Sequence, residues 1–359
     1  MSRRALLERI IDTCSQKCPC RIDVRYDEPM SLHTSFRTGG PADVWVRPRG
    51  DSFPVYAAAL FAEARTAGIP VFILGGGANI LVADRGIRGI VLDTAGWKNS
   101  GPENSNSSNS NSIEQKTKFS PGGRRREADG ESMVFYAGTA ADEAAEAAAG
   151  LELSGLEFLS GMPGSIGGAL WMNARCYGKS VSDVLVETEI LEFSPGTEHG
   201  AGPQGNGGKA SPPERRLIPF NAADFGYKKS PFQGRDALIL SGRFVFRPRP
   251  GAEIRREMEG YRRDREEKGH YRYPSAGSAF KNNREFGKPT GKIIDELGLR
   301  GFAAGGAQVA PFHGNIIINT GNASSSDIRS LIDEVAARVR AATGFMLEPE
   351  ILFAGDWYL

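Results

Sequence analysis

Cysteine is scarce in this chain, four residues in 359, and three of them crowd together as Cys14, Cys18 and Cys20. So few thiols cannot staple a chain of this length, which excludes a disulfide framework as its source of stability. The C-x3-C-x-C spacing departs from the pairs that hold zinc, and no fourth ligand stands nearby, so reduced thiols and no metal are expected. Long apolar runs are missing too: none approaches the ~20 residues that cross a bilayer. The basic start Met1-Ser-Arg-Arg4 meets Glu8, Arg9 and Asp12 where a secretory signal needs an apolar stretch. Net charge is +1, so no global field draws nucleic acid or an anionic membrane. A cytoplasmic protein with neither kind of partner is expected.

Glycine, by contrast, is abundant at 45 residues. Many stand in tight clusters (Gly75-Gly76-Gly77, Gly167-Gly168, Gly305-Gly306), as in loops that pass close to a ligand. The length suits two or three domains. Helices are expected over residues 4–14, 53–67, 140–149, 255–268, 290–297 and 326–343, the last capped by Ser326 and stopped by Gly344. Strands are expected over 42–47, 71–74, 89–93, 184–193, 238–246 and 315–319. Helices and strands mix without strict alternation, which fits an α+β fold better than a doubly wound sheet. The Ser/Asn-rich stretch within 100–132 and the Gly/Pro-rich stretch 194–214 cannot bury enough apolar surface to order themselves, so both read as disordered insertions. Arg124-Arg-Arg126 lacks interleaved aromatics and reads as solvated loop charge.

Three segments carry chemistry. Tyr273-Pro-Ser-Ala-Gly-Ser-Ala-Phe-Lys-Asn-Asn283 combines a small-residue turn with a hydroxyl, a cation and an amide, a kit for gripping a phosphorylated substrate beside a proton donor. Gly75-Gly76-Gly77 directly after a strand, followed by Asn79, exposes backbone N–H groups as a diphosphate nest does. It is not the G-x-G-x-x-G dinucleotide fingerprint. Gly161-Met-Pro-Gly-Ser-Ile-Gly-Gly168 is a second thin-walled segment, its turn fixed by Pro163. For each, a plain structural turn is the bland alternative.

Taken in order, Ser35-Phe-Arg-Thr-Gly-Gly-Pro-Ala42, Leu74-Gly-Gly-Gly-Ala-Asn-Ile-Leu-Val82, Gly155–Ala169, Gly277-Ser-Ala-Phe-Lys-Asn282 and Leu347-Glu-Pro-Glu-Ile351 resemble the UDP-N-acetylenolpyruvoylglucosamine reductase family, in the shorter, second of its types. The resemblance runs from about Leu32 to Gly355, broken by the two insertions. It implies an FAD domain of the PCMH or vanillyl-alcohol-oxidase type, in two parts over 1–68 and 69–247. A substrate-binding α+β domain over 248–348 and a return segment over 349–359 would follow. It also implies NADPH-driven, FAD-dependent reduction of an enolpyruvyl ether on a UDP-sugar in peptidoglycan precursor synthesis, by a monomer. FAD would be held by Arg37, Gly39, Gly75, Gly76, Gly77, Asn79, Leu81, Gly161, Pro163, Gly164, Gly167 and Gly168.

By the same resemblance Ser278 falls on the proton donor and Glu350 on the catalytic glutamate, which would need burial to stay protonated and donate to the substrate carboxylate. Glu348, two residues away on a strand, would share its face. The family's Tyr-Arg-x-Ser reads Tyr227-Lys-Lys-Ser230 here, so Lys228 keeps the charge and loses the planar fork. Tyr227, Lys281, Asn282 and His313 fall where the family contacts substrate sugar or diphosphate. Arg175 departs from the small residue usual at its place. Two rival readings remain: another FAD oxidoreductase of the superfamily, or a non-catalytic binder of flavin or nucleotide sugar.

Overall fold

The computed structural model describes residues 2–18, 21–99, 125–127, 130–193 and 212–357. The chain opens with α1 (Arg3–Lys17), started by the Ser2 hydroxyl accepting from the Ala5 N–H. It then runs through β1 (Ile22–Pro29), β2 (Pro41–Pro48), α2 (Phe53–Thr66), β3 (Val71–Leu74), β4 (Ile80–Val82) and β5 (Ile87–Asp93). The first sheet has the order β1-β2-β5-β3, with β1 antiparallel to β2 and both β2 and β3 parallel to β5. Strands on either side of residue 68 therefore share one sheet. Leu7, Ile10, Ile11 and Cys14 of α1 pack with Tyr56 and Leu60 of α2. Cys14 and Cys18 are buried, and burial pushes the Cys14 thiol up to about 12, which leaves it inert. Cys20 lies outside the described residues, among which no cluster of metal-ligating side chains occurs.

The second part holds β6 (Arg125–Glu127), β7 (Gly130–Tyr136), α3 (Ala141–Gly150), β8 (Leu153–Ser154), α4 (Ile166–Met172), β9 (Arg175–Cys176), β10 (Lys179–Ser180), β11 (Leu185–Glu192), β12 (Glu214–Pro219), β13 (Ala237–Pro248) and α5 (Gly251–Glu267). Its antiparallel sheet runs β12-β11-β13-β7-β6, with β8 on the end of β13. Residues 125–127 and 130–132 are strand rather than insertion, and Glu214 opens β12. The rest of both expected insertions lies outside the described residues. Apolar side chains from both sheets merge in one core, where Trp97 stacks on Phe53 at 5.6 Å and on Tyr136 at 4.1 Å. Ile254 and Met258 place α5 in this core too, although the sequence puts the helix beyond the expected boundary at 248.

The third part has β14 (Ser275–Ser278), α6 (Thr290–Glu296), β15 (Ala303–Ala304), β16 (Ala307–Val309), β17 (Ile316–Asn319), α7 (Ser325–Thr343) and β18 (Leu352–Ala354). An antiparallel sheet of order β14-β17-β16-β15 packs with α6 and α7 around Phe280, Ile293, Ile317, Leu331 and Ile332. The cap of α7 is Ser324, two residues before the expected Ser326, because its hydroxyl and Asp327 close a capping box. Ser326 instead turns its hydroxyl and N–H to Asp84. The chain then returns, and β18 pairs in parallel with β4. Phe36, Leu81 and Ile351 join the third core, so the two bodies are bound by packing as well as by a strand. The fold is α+β, and no described helix is long and apolar enough to cross a membrane.

Candidate active site

The two glycine-rich segments lie against each other. A Cβ on Gly76 would stand 2.6 Å from the Gly164 Cα, and one on Gly75 would stand 2.9 Å from the Ser165 hydroxyl. Ser165 caps α4 and accepts from the N–H groups of Gly76 at 3.2 Å and Gly168 at 3.3 Å. Gly77 and Gly167 are confined by the His33 carbonyl and by Ala137, and Gly39 by Val82. Protein backbone and side chains, more than a ligand, require glycine at these places. The backbone N–H groups of Gly75, Gly77, Ala78, Asn79 and Gly164 take no acceptor among the described residues. Such a cluster of orphan donors fits the diphosphate of FAD, as expected of this segment. Pro163 and Gly168 are exposed beside it. Arg37, left-handed at φ +55°, is exposed on the neighbouring turn. Leu81 differs from the expectation: its side chain is fully buried in the third core, so only its backbone borders this region.

A second cluster forms where β14 meets the returning chain. The Glu350 N–H donates to the Ala279 carbonyl at 2.8 Å, which fixes the glutamate one residue from Ser278. Asn79 Nδ2 donates to the Glu350 carbonyl at 3.1 Å, tying the glycine nest to the same returning segment. Asn315 bonds both backbone groups of Phe280, holding the motif flat against β17. Gly277 takes φ +72° with nothing within 4 Å of a Cβ, so the turn before Ser278 opens onto space. The Ser278 hydroxyl has no protein partner among the described residues. It is available.

Lys228 comes to this cluster from the FAD half. Gly226 and Lys229 close a tight turn with reciprocal backbone bonds, and Lys228 sits in it at φ +57°. The turn is riveted to the end of α4. Asn173 Nδ2 donates to the Gly226 carbonyl at 2.9 Å, Gln233 Nε2 to the Lys228 carbonyl at 3.1 Å, and the Ser230 hydroxyl to the Trp171 carbonyl at 2.7 Å. This delivers the Lys228 ammonium 2.5 Å from Glu350 Oε1, with side chains 13% and 9% exposed. Glu350 is thus buried and faces a cation. Glu348 does not share its setting. It is exposed and pairs with Lys281 at 2.5 Å, because the chain is not yet in the strand, which begins at Leu352.

Among the expected substrate contacts, the Tyr227 hydroxyl accepts from the Asn282 N–H at 3.2 Å, and Asn282 Oδ1 accepts from the Thr290 N–H at 2.9 Å. Tyr227, Lys281 and Asn282 therefore line one wall. His313 is partly buried, its Nδ1 accepting from the Asn315 N–H at 3.1 Å. Burial holds its pKa below the ordinary value, so the ring is neutral with its proton on Nε2, a donor suited to a phosphate oxygen. Arg175 is exposed on β9. Sequence reasoning missed Ser165, Asn173, Asn315 and Gln233, which position the site through backbone bonds. Only the αL cap at Asn173 left a sequence signal, an Asn closing a glycine-rich helix.

Residues 269–354 match the family model described as UDP-N-acetylenolpyruvoylglucosamine reductase, C-terminal domain. The chain is 37% identical to the reductase of that name from Treponema denticola, over 93% of this chain and 94% of the relative. It is 38% identical to the one from Treponema pallidum, over 92% and 94%, and 34% identical to that of Agathobacter rectalis, over 98% and 99%. The crystal structure of the Thermus caldophilus reductase superposes with a TM-score of 0.65 at 26% identity, covering 93% of this chain and 99% of the other. This chain belongs to the UDP-N-acetylenolpyruvoylglucosamine reductase family.

Proposed function

We propose that the protein reduces the enolpyruvyl ether of UDP-N-acetylglucosamine to the lactyl ether of UDP-N-acetylmuramate, a step of peptidoglycan precursor synthesis, with NADPH as reductant and FAD as carrier. The observation that carries this reading is the meeting of Ser278, Glu350 and Lys228 beside the nest of free N–H groups. FAD, once bound there, supplies a hydride to C3 of the enolpyruvyl group. Negative charge then develops at C2 and spreads into the substrate carboxylate. The Lys228 ammonium stabilises that charge, and Glu350 sets the ammonium in place. The Ser278 hydroxyl, free of other bonds and following an open glycine, donates the proton to C2; a carbanion equivalent is basic enough to take it. Lys281, Asn282, Tyr227 and His313 hold the sugar and diphosphate. Lys281, Asn282 and His313 come from the third part of the chain, and Tyr227 meets them from the second.

The test is anaerobic stopped-flow spectroscopy of the purified protein. NADPH is expected to bleach the flavin, and the enolpyruvyl nucleotide sugar to restore it. In Ser278→Ala the bleaching should persist while the restoration slows by roughly 10²–10⁴-fold. Bleaching without recovery in the unaltered protein would reject the substrate, and a colourless protein would reject the flavoenzyme.

A further inference from the structure

Lys281 and Glu348 form a pair that the reaction itself leaves unexplained. The Lys281 N–H donates to the Glu348 carbonyl at 2.9 Å, and the Glu350 N–H to the Ala279 carbonyl at 2.8 Å. These two bonds flank an antiparallel bridge between Phe280 and Pro349. Lys281 therefore stands opposite Glu348, and Ala279 opposite Glu350. Beyond it the Lys281 carbonyl accepts from the Thr290 hydroxyl at 2.8 Å. Its backbone is fixed at both ends, so only the side chain is left to change partners.

The returning segment thus presents two carboxylates to two cations, and burial separates their fates. Glu350 and Lys228 have side chains 9% and 13% exposed, and parting them would strand a charge away from water. Glu348 and Lys281 are 69% and 27% exposed, with the ammonium 2.5 Å from Oε1. An open pair of this kind is weak, because water solvates each ion once they part. A diphosphate offers an ammonium charge-assisted bonds from several oxygens and carries more charge than a carboxylate. It can take Lys281 from Glu348, whose carboxylate then turns to water and is screened.

We propose that Glu348 is a displaceable counter-ion, holding Lys281 until a nucleotide diphosphate takes it and so weakening nucleotide-sugar binding, an inference that rests on the substrate reading above. Each binding event breaks the Lys281–Glu348 pair, and each release remakes it. Glu350 and Lys228 act on the reacting end of the substrate. Glu348 instead sets how tightly the far end is held.

The experiment titrates the holoenzyme with UDP alone by calorimetry and, separately, measures KM for the enolpyruvyl nucleotide sugar at saturating NADPH. Glu348→Gln keeps the size of the side chain and removes its charge. It is expected to lower both the Kd for UDP and the KM by roughly threefold to fivefold, with a smaller change in kcat. The gain should shrink as ionic strength rises, since salt already weakens an exposed pair. Lys281→Met should raise both constants. Adding Glu348→Gln to it should then change neither by more than about 1.5-fold, the mark of two residues acting through one contact. Glu348→Ala is expected to follow Glu348→Gln. A carboxylate that only anchors the returning segment would, when removed, lower thermal stability and leave the Kd for UDP unchanged or higher. That result, or an equal gain in the Lys281→Met background, would overturn the proposal. Tighter UDP binding in Glu348→Gln, beside an unaltered protein that never turns over the nucleotide sugar, would sink the reductase reading and leave the counter-ion standing.

Discussion

At the scale of the residue, Lys228 stands where the resemblance implies an arginine, and the geometry says how a lysine is accommodated there. A lysine at φ +57° is an uncommon host for the left-handed region, held there by the Asn173 and Gln233 bonds to its turn. One strong contact to Glu350 replaces the two parallel bonds an arginine would offer. Lys228→Arg is expected to leave kcat/KM equal or better. Lys228→Met removes the cation and strands a buried carboxylate; kcat should fall by about 10²-fold, with no change in flavin content. Steady-state kinetics beside the flavin spectrum separates the two effects. A neutral result for Lys228→Met would place the carboxylate-binding cation elsewhere. The sequence named Ser278, Glu350 and Lys228 from linear motifs. It did not give the pairing of Glu350 with Lys228, because the partner comes from 122 residues away, through a turn that no local pattern aims.

At the scale of the element, the glycines divide into two kinds that composition alone cannot tell apart. Gly76 is required by the backbone of Gly164 pressing on it, while Gly277 is required only by its own φ of +72° with open space beyond. Gly76→Ala should therefore force the nest and the α4 segment apart, losing flavin from the purified protein as well as stability. Gly277→Ala should cost about 1–2 kcal/mol of conformational strain and keep its flavin. Thermal melting with the ratio of flavin to protein absorbance checks both. Equal flavin content in the two variants would mean that the packing of the glycine segments does not shape the cofactor site. Six of the seven described helices and the strands β2, β3, β5, β11, β13 and β17 were readable from pattern to within a few residues, whereas β1, β7 and β12 were not expected. The α4 helix was not, since Gly167 and Gly168 mask its pattern and its start depends on the Ser165 cap.

At the scale of the whole molecule, the two bodies meet around partly buried histidines, and this gives the stability a pH dependence of known sign. His270 follows α5, with its N–H bonded to the Arg265 carbonyl, and its ring centre is 6.2 Å from that of His313. Burial first, then the charges of Arg265, His313 and Lys268, lower its pKa to about 4, with Asp264 opposing. In the unfolded chain the imidazole titrates near ~6.5. Between these values the unfolded state binds a proton that the folded state refuses, so stability rises with pH across the window. It is fully present above ~6.5 and is lost as pH falls toward about 4. The ring is part-exposed, so after allowance for solvent screening the contribution is about 1–2 kcal/mol. His313, also lowered by burial, adds to the same slope. His270→Gln, neutral at every pH, is expected to flatten the melting temperature between pH 4 and 6.5 without abolishing its fall. A variant as pH-sensitive as the unaltered protein would show that His270 is solvated in the folded state, and that the junction between the bodies is looser than the packing of Phe36, Leu81 and Ile351 in the third core implies.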